Sequence, residues 1–472
     1  MKKKLYGWIF LIMFSVIIMV LPPPEGLTPL GLRAIALLVI AAFLWLGELL
    51  PVGASSLLII VLAAMFGALE TSKAFVSLSS DIIFLYIGGF IVAAAMSLFG
   101  LDKRIALWVI NKTGTNKKKI VLGLMLGTAL ISAWMSSVVV VLALLPVVLG
   151  MLKVMGSKPG ESDGKLFLFA LMIAALTGGI ATPVGTAPNA LVMGFLRDMA
   201  NIDISFVEWM YYGTPLAIVT TIVSWWLLVN FSYKLDNSTD DELKKYVIEE
   251  YKQLGPMQHK EKMTAISLIL FAGLLFAVPI GKSIFGNAFW SEGTASIIAC
   301  MFLFLTNTIT WKQANNGIAW NILLLFAAGL TISSSLSATG AANYLATVIG
   351  TAVPGPALPV AFTIFGALFT QMTSNTATTA ILAPIAISTA VVAGVNPMSV
   401  AIPVTLGISL GFLTPIGSAL SPIVFGQMPD GNTWIGKASD YVKAGLVPFI
   451  VCLAITIIYA VYILPMLGFK GM

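Results

Sequence analysis

Apolar residues form long runs along this chain, and short polar stretches divide the runs into helix-length segments. A bilayer is crossed by an α-helix of roughly 20 such residues. An apolar run follows Lys2, Lys3 and Lys4 and lacks a small-residue cleavage site, so residues 1–27 are predicted to contain a retained transmembrane helix. Runs that predict further single spans are near 29–47, 54–69, 81–100, 213–233, 263–281, 293–310, 321–339 and 445–464. This pattern predicts an all-α polytopic membrane protein.

Four other apolar segments do not fit a single straight span. Those at about 120–152 and 356–394 are too long for one crossing and carry polar residues near their middle, so they predict re-entrant hairpins. Those at about 166–199 and 399–427 are interrupted by Gly, Pro, Ser and Thr, which predicts broken helices. Irregular backbone at membrane depth is tolerated only where it lines a cavity or is buried in protein.

The interrupted segments occur twice in the same order, which indicates an internal repeat. Three pairs of similar blocks recur: 132–146 with 370–384 at an offset of 238, 182–194 with 414–426 at an offset of 232, and 81–90 with 321–330 at an offset of 240. The predicted units are an N-terminal helix at 1–27, a first repeat at 28–233, a cytoplasmic linker at 234–262 and a second repeat at 263–466. Paired broken helices of this kind are typical of binding sites in secondary transporters.

Charge sets the expected orientation. With the N-terminus inside, 21 of the 26 Lys and Arg residues fall in loops on the cytoplasmic side, as the positive-inside rule requires. We therefore expect about 11 transmembrane helices and two re-entrant hairpins in two inverted repeats, in a plasma membrane, with the C-terminus extracellular. The net charge of +6 comes from these loops and does not indicate a nucleic-acid partner.

The inventory of reactive side chains argues against a membrane-embedded enzyme. The one histidine, His259, lies in the charged linker, whereas a metalloprotease needs paired histidines and a serine protease needs a histidine base at depth. Asp81 is the one candidate intramembrane acid, and an aspartyl protease needs two. A channel is harder to exclude, but paired broken helices favour alternating access.

The interrupted helices offer a site for an anion. A half-helix that begins within the membrane directs free N–H groups and a positive dipole end at the cavity. No lysine or arginine lies in the middle of the interrupted segments, so hydroxyl and amide donors must meet the ligand's charge. Backbone carbonyls freed by the breaks are hard oxygen ligands of the kind that bind sodium.

The motifs SNTATTAILAP, ATPVGTAPN and FLYIGGF resemble those of the divalent-anion/sodium symporter family of di- and tricarboxylate transporters. The resemblance implies a homodimer in the lipid bilayer, with scaffold and transport parts contributed by both repeats and an elevator-type movement. It implies small dicarboxylate substrates such as malate, fumarate, succinate or 2-oxoglutarate. No cofactor is implied, apart from a possible sodium ion.

The resemblance also implies which residues form the sites. Those expected to bind substrate are Ser136, Ser137, Gly185, Thr186, Ser374, Asn375, Thr376, Gly417 and Ser418. Those expected to hold sodium are Ser132, Ser136, Gly185, Asn189, Thr370, Thr373 and Asn375.

The two halves match the family unevenly. The second hairpin keeps Ser-Asn-Thr at 374–376, while the first reads Ser-Ser-Val at 136–138. The first loop keeps its asparagine, Asn189, and the second loop has lost the corresponding one. Two interpretations stay open: a sodium-coupled dicarboxylate or citrate symporter, or a transporter that exchanges one dicarboxylate for another without sodium. The degraded sodium motifs favour exchange.

Overall fold

The computed structural model describes residues 2–47, 49–114, 116–235, 240–286, 290–425 and 438–468. Its elements are helices. Those of the first half are α1 Lys2–Val20, α2 Pro29–Leu46, α3 Val52–Met65, α4 Thr71–Val76, α5 Asp81–Leu98, α6 Leu101–Lys112, α7 Lys117–Ser132, α8 Ser137–Val154, α9 Ser162–Gly179, α10 Ala187–Ala200 and α11 Phe206–Leu227. The linker contributes α12 Asp241–Gln253.

The second half follows a similar order. Its helices are α13 His259–Phe276, α14 Val278–Phe285, α15 Glu292–Leu305, α16 Trp311–Gly317, α17 Trp320–Ala338, α18 Ala341–Gly350, α19 Leu358–Phe369, α20 Asn375–Val392, α21 Pro397–Ile408, α22 Ser421–Phe425, α23 Ala438–Ile458 and α24 Leu464–Leu467.

Length and composition support a polytopic membrane protein. Among the described residues, nine helical segments are long and apolar enough to cross a bilayer, or ten if α13 and α14, which are bent by 54°, form one span. The sequence predicts about 11 spans, and the difference lies partly in α3 and α15, which have only 14 residues each. The nine also include α8, α19 and α20, which the sequence assigns to hairpins.

Both predicted hairpins have a helix–break–helix form. The first consists of α7 and α8, separated by residues 133–136. The second consists of α19 and α20, separated by a 3₁₀ turn at Thr370–Met372 and two further residues. Each second arm begins at a Ser/Thr/Asn-rich tip, where side chains and backbone compete for the same hydrogen bonds and favour a helix start over a continuous helix.

Both predicted broken helices are interrupted within the expected range. The first breaks between α9 and α10, and the second between α21 and α22. Residues 426–427, at the end of the second predicted segment, lie outside the described part of the chain. Close approach explains the glycine at the first break, because a Cβ on Gly185 would lie 2.5 Å from the carbonyl oxygen of Gly179 and 2.7 Å from that of Ser132.

A pair of matching turns extends the correspondence of the two halves. Gly100 precedes α6 with φ 74°, and Gly340 precedes α18 with φ 75°. This left-handed conformation is accessible to glycine at little cost. The two positions are 240 residues apart, which is the offset of the third sequence pair.

The linker is folded against the first half through polar contacts. Lys103 Nζ lies 2.7 Å from Glu250 Oε2, and Lys244 Nζ donates to the carbonyl oxygen of Asn111 at 2.6 Å. Arg104 forms a buried ion pair with Glu261, and its hydrogen bond to Glu261 raises the pKa of the guanidinium. Glu261 lies in α13, so the two lysine contacts are those that hold α12 beside α6, and α12 also contacts α8.

Candidate functional site

The two hairpin tips and the two broken-helix loops surround one cavity of about 110 Å³. One water needs about 10–15 Å³, so this cavity is large enough for a small organic molecule. Eight of the nine residues predicted to bind substrate line it: Ser136, Ser137, Gly185, Thr186, Ser374, Asn375, Thr376 and Ser418. Gly417 is not among the lining residues. The structure therefore brings together tips and loops that lie more than 200 residues apart in the chain.

The cavity is uncharged, but three helices begin at it. The described residues that line it include no Lys, Arg, Asp or Glu. Ser137, Ala187 and Asn375 are the first residues of α8, α10 and α20, and all three line the cavity. The first N–H groups of a helix have no partner within it and carry a partial positive charge. The cavity can therefore attract an anion without a cationic side chain.

At the first tip, the hydroxyl groups of two serines form hydrogen bonds within the protein. The hydroxyls of Ser132 and Ser137 lie 3.0 Å apart, and both donate to the carbonyl oxygen of Ala175, at 2.6 and 2.9 Å. Each hydroxyl has a single hydrogen to donate. Once both are given to Ala175, Ser137 has no hydrogen left for a ligand in the cavity.

The second tip has the same arrangement with a different outcome. Thr370 Oγ1 donates to Asn375 Oδ1 at 2.8 Å, and Ser374 Oγ accepts from the backbone N–H of Ala377 at 3.3 Å. Thr370 and Asn375 correspond to Ser132 and Ser137 at the offset of 238. Because the amide oxygen of Asn375 accepts this bond, its Nδ2 group is the part that is left to donate to a ligand.

Asn189 and Tyr86 are two of the side chains that hold the first loop. Asn189 Nδ2 donates to the carbonyl oxygens of Gly179 and Thr182, at 3.0 and 2.7 Å, which satisfies groups freed by the helix break. Tyr86 Oη lies 2.5 Å from the carbonyl oxygen of Pro183 and 3.1 Å from that of Thr186, and it shares its one hydrogen between them. Tyr86 also lines the cavity. The motif FLYIGGF contains Tyr86, but the sequence did not lead us to predict a role for this residue.

The second loop is held instead by Gln371, which sequence reasoning missed. Its Nε2 donates to the carbonyl oxygens of Ala367 and Leu410, at 2.8 and 2.9 Å, and its Oε1 accepts from the N–H of Leu413 at 2.9 Å. Gln371 corresponds to Ala133 at the offset of 238, and this unmatched polar residue was the available signal. The side chain joins the hairpin directly to the loop.

The residues predicted to hold sodium fall into two groups at these same places. Ser132, Gly185 and Asn189 lie together at the first hairpin and loop, since the backbone of Gly185 approaches the carbonyl of Ser132 and Asn189 braces the same loop. Thr370 and Asn375 are hydrogen-bonded to each other at the second tip. The remaining two are Ser136, at the first tip, and Thr373, at the second.

Hydroxyl, amide and carbonyl oxygens are chemically suitable for sodium. One of them, Asn189 Oδ1, is buried and makes no hydrogen bond among the described residues. Across the described ranges, no cluster of three His, Cys, Asp or Glu side chains is arranged to bind a metal.

Comparison with solved structures finds two that share this fold. The Alcanivorax borkumensis YdaH transporter superposes with a TM-score of 0.56 at 13% identity, covering 83% of this chain and 88% of that one. Neisseria gonorrhoeae MtrF superposes with a TM-score of 0.57 at 14% identity, covering 96% of this chain and 94% of that one. Identities this low establish similarity of fold only.

Sequence comparison is more specific. The sodium-dependent dicarboxylate transporter SdcS of Staphylococcus saprophyticus is 29% identical over 95% of this chain and 91% of its own length. An uncharacterized transporter of Haemophilus influenzae is 30% identical over 94% of each chain. The family described as the sodium:sulfate symporter transmembrane region matches residues 2–469. The chain therefore belongs to this family, the divalent anion:sodium symporters.

Proposed function

We propose that the protein carries small dicarboxylate anions across the plasma membrane by exchanging one for another. The observation that supports this most strongly is the uncharged cavity at which two hairpin tips and three helix N-termini meet. Similarity to SdcS transporters suggests dicarboxylates as the substrate class. C4-dicarboxylates such as malate, fumarate and succinate, or 2-oxoglutarate, are the candidates.

In this proposal, the second tip holds a carboxylate of the substrate. Asn375 Nδ2, Thr376 Oγ1 and the first N–H groups of α20 are the donors. A hydrogen bond to a charged group contributes about 1.5–3 kcal/mol. Ser418 and Thr186, from the two loops, add hydroxyls to the same cavity. Several such donors can replace the water that the anion leaves behind.

Exchange is supported by the incomplete sodium motifs, since the first tip reads Ser-Ser-Val at 136–138 and Ser421 stands where the first half has Asn189. Ser132 and Ser137 both bond to Ala175, and Thr370 bonds to Asn375. Among the oxygens expected to hold sodium, Asn375 Oδ1 already accepts a hydrogen bond from Thr370 and so has fewer lone pairs left for a cation. A carrier without a cation to offset its donors should move readily only with an anion bound. Such a carrier is driven by anion exchange.

Sodium symport is the second candidate, and one atom favours it. Asn189 Oδ1 is buried without a hydrogen-bond partner among the described residues, which is costly unless a cation or water meets it. The names of the SdcS relatives, which are called sodium-dependent, point the same way.

Uptake into proteoliposomes distinguishes dicarboxylate exchange from sodium symport. Vesicles loaded with unlabelled succinate should take up labelled succinate when external sodium is replaced by choline, and vesicles without internal dicarboxylate should take up little. Uptake that requires a sodium gradient and does not depend on the internal anion would overturn exchange and establish symport. Absence of succinate uptake in every condition would overturn dicarboxylate transport itself.

The movement and assembly that we propose follow the family: a homodimer in which hairpins and broken helices move as an elevator against a scaffold, with the N-terminus inside and the C-terminus outside. Gln253 lies exposed at the end of α12. A cysteine at Gln253 should resist an impermeant thiol reagent added to intact cells and react after permeabilisation. Labelling in intact cells would reverse the orientation. Lys470, the other marker position, lies outside the described residues.

A further inference from the structure

The two ends of the cavity differ in their capacity to bind a charged group. At the second tip, Asn375 and Thr376 present an amide and a hydroxyl on consecutive residues that line the cavity. The amide oxygen of Asn375 is occupied by Thr370, so its Nδ2 group remains for a ligand. An ionised carboxylate accepts hydrogen bonds only, and these groups supply the donors that it needs.

At the first tip, the corresponding residues are Ser137 and Val138. Ser137 gives its hydrogen to the carbonyl oxygen of Ala175. Val138 has no polar side-chain group. Two consecutive donors of the second tip are therefore absent here, and Ser136 Oγ is the hydroxyl left on this tip. Ser136 and Ser374, which precede the two second arms, have similar backbone angles (φ −52°, ψ 129° and φ −66°, ψ 145°), so the lost donors reflect a difference of side chains.

An apolar wall accompanies this loss of donors. Val138, Phe90 and Ile322 line the cavity on the side of the first tip. The same three residues also line an adjoining cavity of about 380 Å³, which extends the space beyond the tip. Burying an ionised carboxylate against such a wall without enough partners is costly, whereas burying an uncharged group is not. The adjoining space accommodates a longer uncharged end.

We propose that the site binds acids in one orientation, with one carboxylate at the second tip and an uncharged end against Val138, Phe90 and Ile322. The substrate class then includes monocarboxylates with a neutral ester, amide or short apolar end, and a diacid needs only one ionised carboxylate. This inference rests on the proposed function, because it assigns the anion to the same cavity.

Competition and binding with matched compounds provide the test. Monomethyl succinate keeps one carboxylate, and dimethyl succinate keeps none. If both ends of the cavity bound carboxylates equally, neutralising one end would weaken binding roughly 10- to 150-fold. We expect monomethyl succinate to inhibit succinate exchange within about threefold of succinate itself, and dimethyl succinate to be inert. Monomethyl succinate that is weaker by tenfold or more would overturn the inference.

Two variants check that the wall is responsible. Val138→Thr places a hydroxyl where the second tip has Thr376 and should increase the preference for succinate over its monomethyl ester at least about threefold. Thr376→Val, the reciprocal change, should weaken both compounds by the same factor. An unchanged preference in Val138→Thr, with the protein folded and active, would contradict the assignment of the uncharged end to this tip.

Calorimetric titration of the purified protein distinguishes a failure of the one-ended site from a failure of the proposed dicarboxylate transport. Monomethyl succinate that binds when no succinate exchange is measurable would overturn dicarboxylate transport and support the one-ended site. Succinate exchange with no binding of the monoester would leave the proposed function intact and overturn the one-ended site. Failure of both compounds to bind would overturn both.

Discussion

The two hairpin tips share a hydrogen-bond plan but differ in what they leave for a ligand. In each, a hydroxyl at the end of the first arm lies beside the residue that begins the second arm: Ser132 Oγ is 3.0 Å from Ser137 Oγ, and Thr370 Oγ1 donates to Asn375 Oδ1 at 2.8 Å. Ser132 and Ser137 both donate to the carbonyl oxygen of Ala175, whereas the Nδ2 group of Asn375 keeps its hydrogens for a ligand. The similar placement of these residues positions both tips alike. The side chain that begins the second arm, Ser137 or Asn375, then decides whether the tip can donate to a ligand.

The loops show a reciprocal difference. In both halves a loop threonine donates to the hairpin backbone, Thr182 to Ala133 and Thr414 to Gln371. The amide that braces the break, however, belongs to the loop in the first half, as Asn189, and to the hairpin in the second, as Gln371. Among the described residues, only the second half therefore has an amide side chain that joins the first arm of its hairpin to the neighbouring break.

The largest effect should come from the two tip residues. Asn375→Ala removes a donor to a buried carboxylate and should weaken succinate binding roughly 10- to 150-fold. Ser137→Ala, its matched counterpart, should weaken binding less than about threefold, because its hydrogen is already used. Calorimetric titration of both variants measures the difference. Equal losses would show that the tips contribute alike and would break the comparison.

The bracing amides should give the next effect. Gln371→Ala and Asn189→Ala each leave buried backbone groups unpaired, at about 1–3 kcal/mol per group, so both should lower the melting temperature. Only Gln371→Ala should also weaken succinate binding strongly, since it alone unties a tip from its loop. Asn189→Ser gives the first half the residue found at Ser421 and should also lower the melting temperature. Adding Ala133→Gln, the counterpart of Gln371, should recover part of that loss. No recovery would argue against equivalence of the two positions.

Tyr86 has no hydroxyl counterpart in the second half, where Phe326 lies at the offset of 240. Tyr86→Phe should leave the fold intact but loosen the first loop, with an effect of about 1 kcal/mol, or roughly fivefold, on succinate affinity. Tyr462→Phe, at an exposed position, serves as the control. An unchanged affinity in Tyr86→Phe would show that the Tyr86 hydroxyl does not position the first loop for the substrate.

The smallest effect concerns pH. Burial raises the pKa of Asp102, in the amphipathic helix α6, to about 6, and its Oδ2 has no partner among the described residues. A carboxyl whose pKa is raised on folding stabilises the protein below its unfolded value, near 3.9, and this stability is lost as pH rises through 6. The corresponding residue in α18 is Ala342. Asp102→Ala should therefore reduce the difference in melting temperature between pH 5 and pH 8, and an unchanged difference would exclude Asp102 as its source.

Much of this comparison was accessible from the sequence, because repeated motifs fix which residues correspond. The block pairs led to both tips and both loops, and eight of nine predicted residues line the cavity. Gln371 escaped because its role depends on a contact with Leu410, 39 residues away in the chain. The hydrogen bond from Ser137 to Ala175 could not be predicted for the same reason. From the sequence alone, a serine at this position is expected to donate to the ligand.

Substrate protection tests the central claim, that the anion binds between the two tips. Cys300 and Cys452 are fully buried, so a cysteine introduced at Val138 would be the reactive one facing the cavity. Succinate should slow its reaction with a maleimide over the same concentration range that saturates transport, and should leave a cysteine at exposed Gln253 unprotected. Equal reaction rates at Val138→Cys with and without saturating succinate, in a variant that still transports it, would place the anion elsewhere.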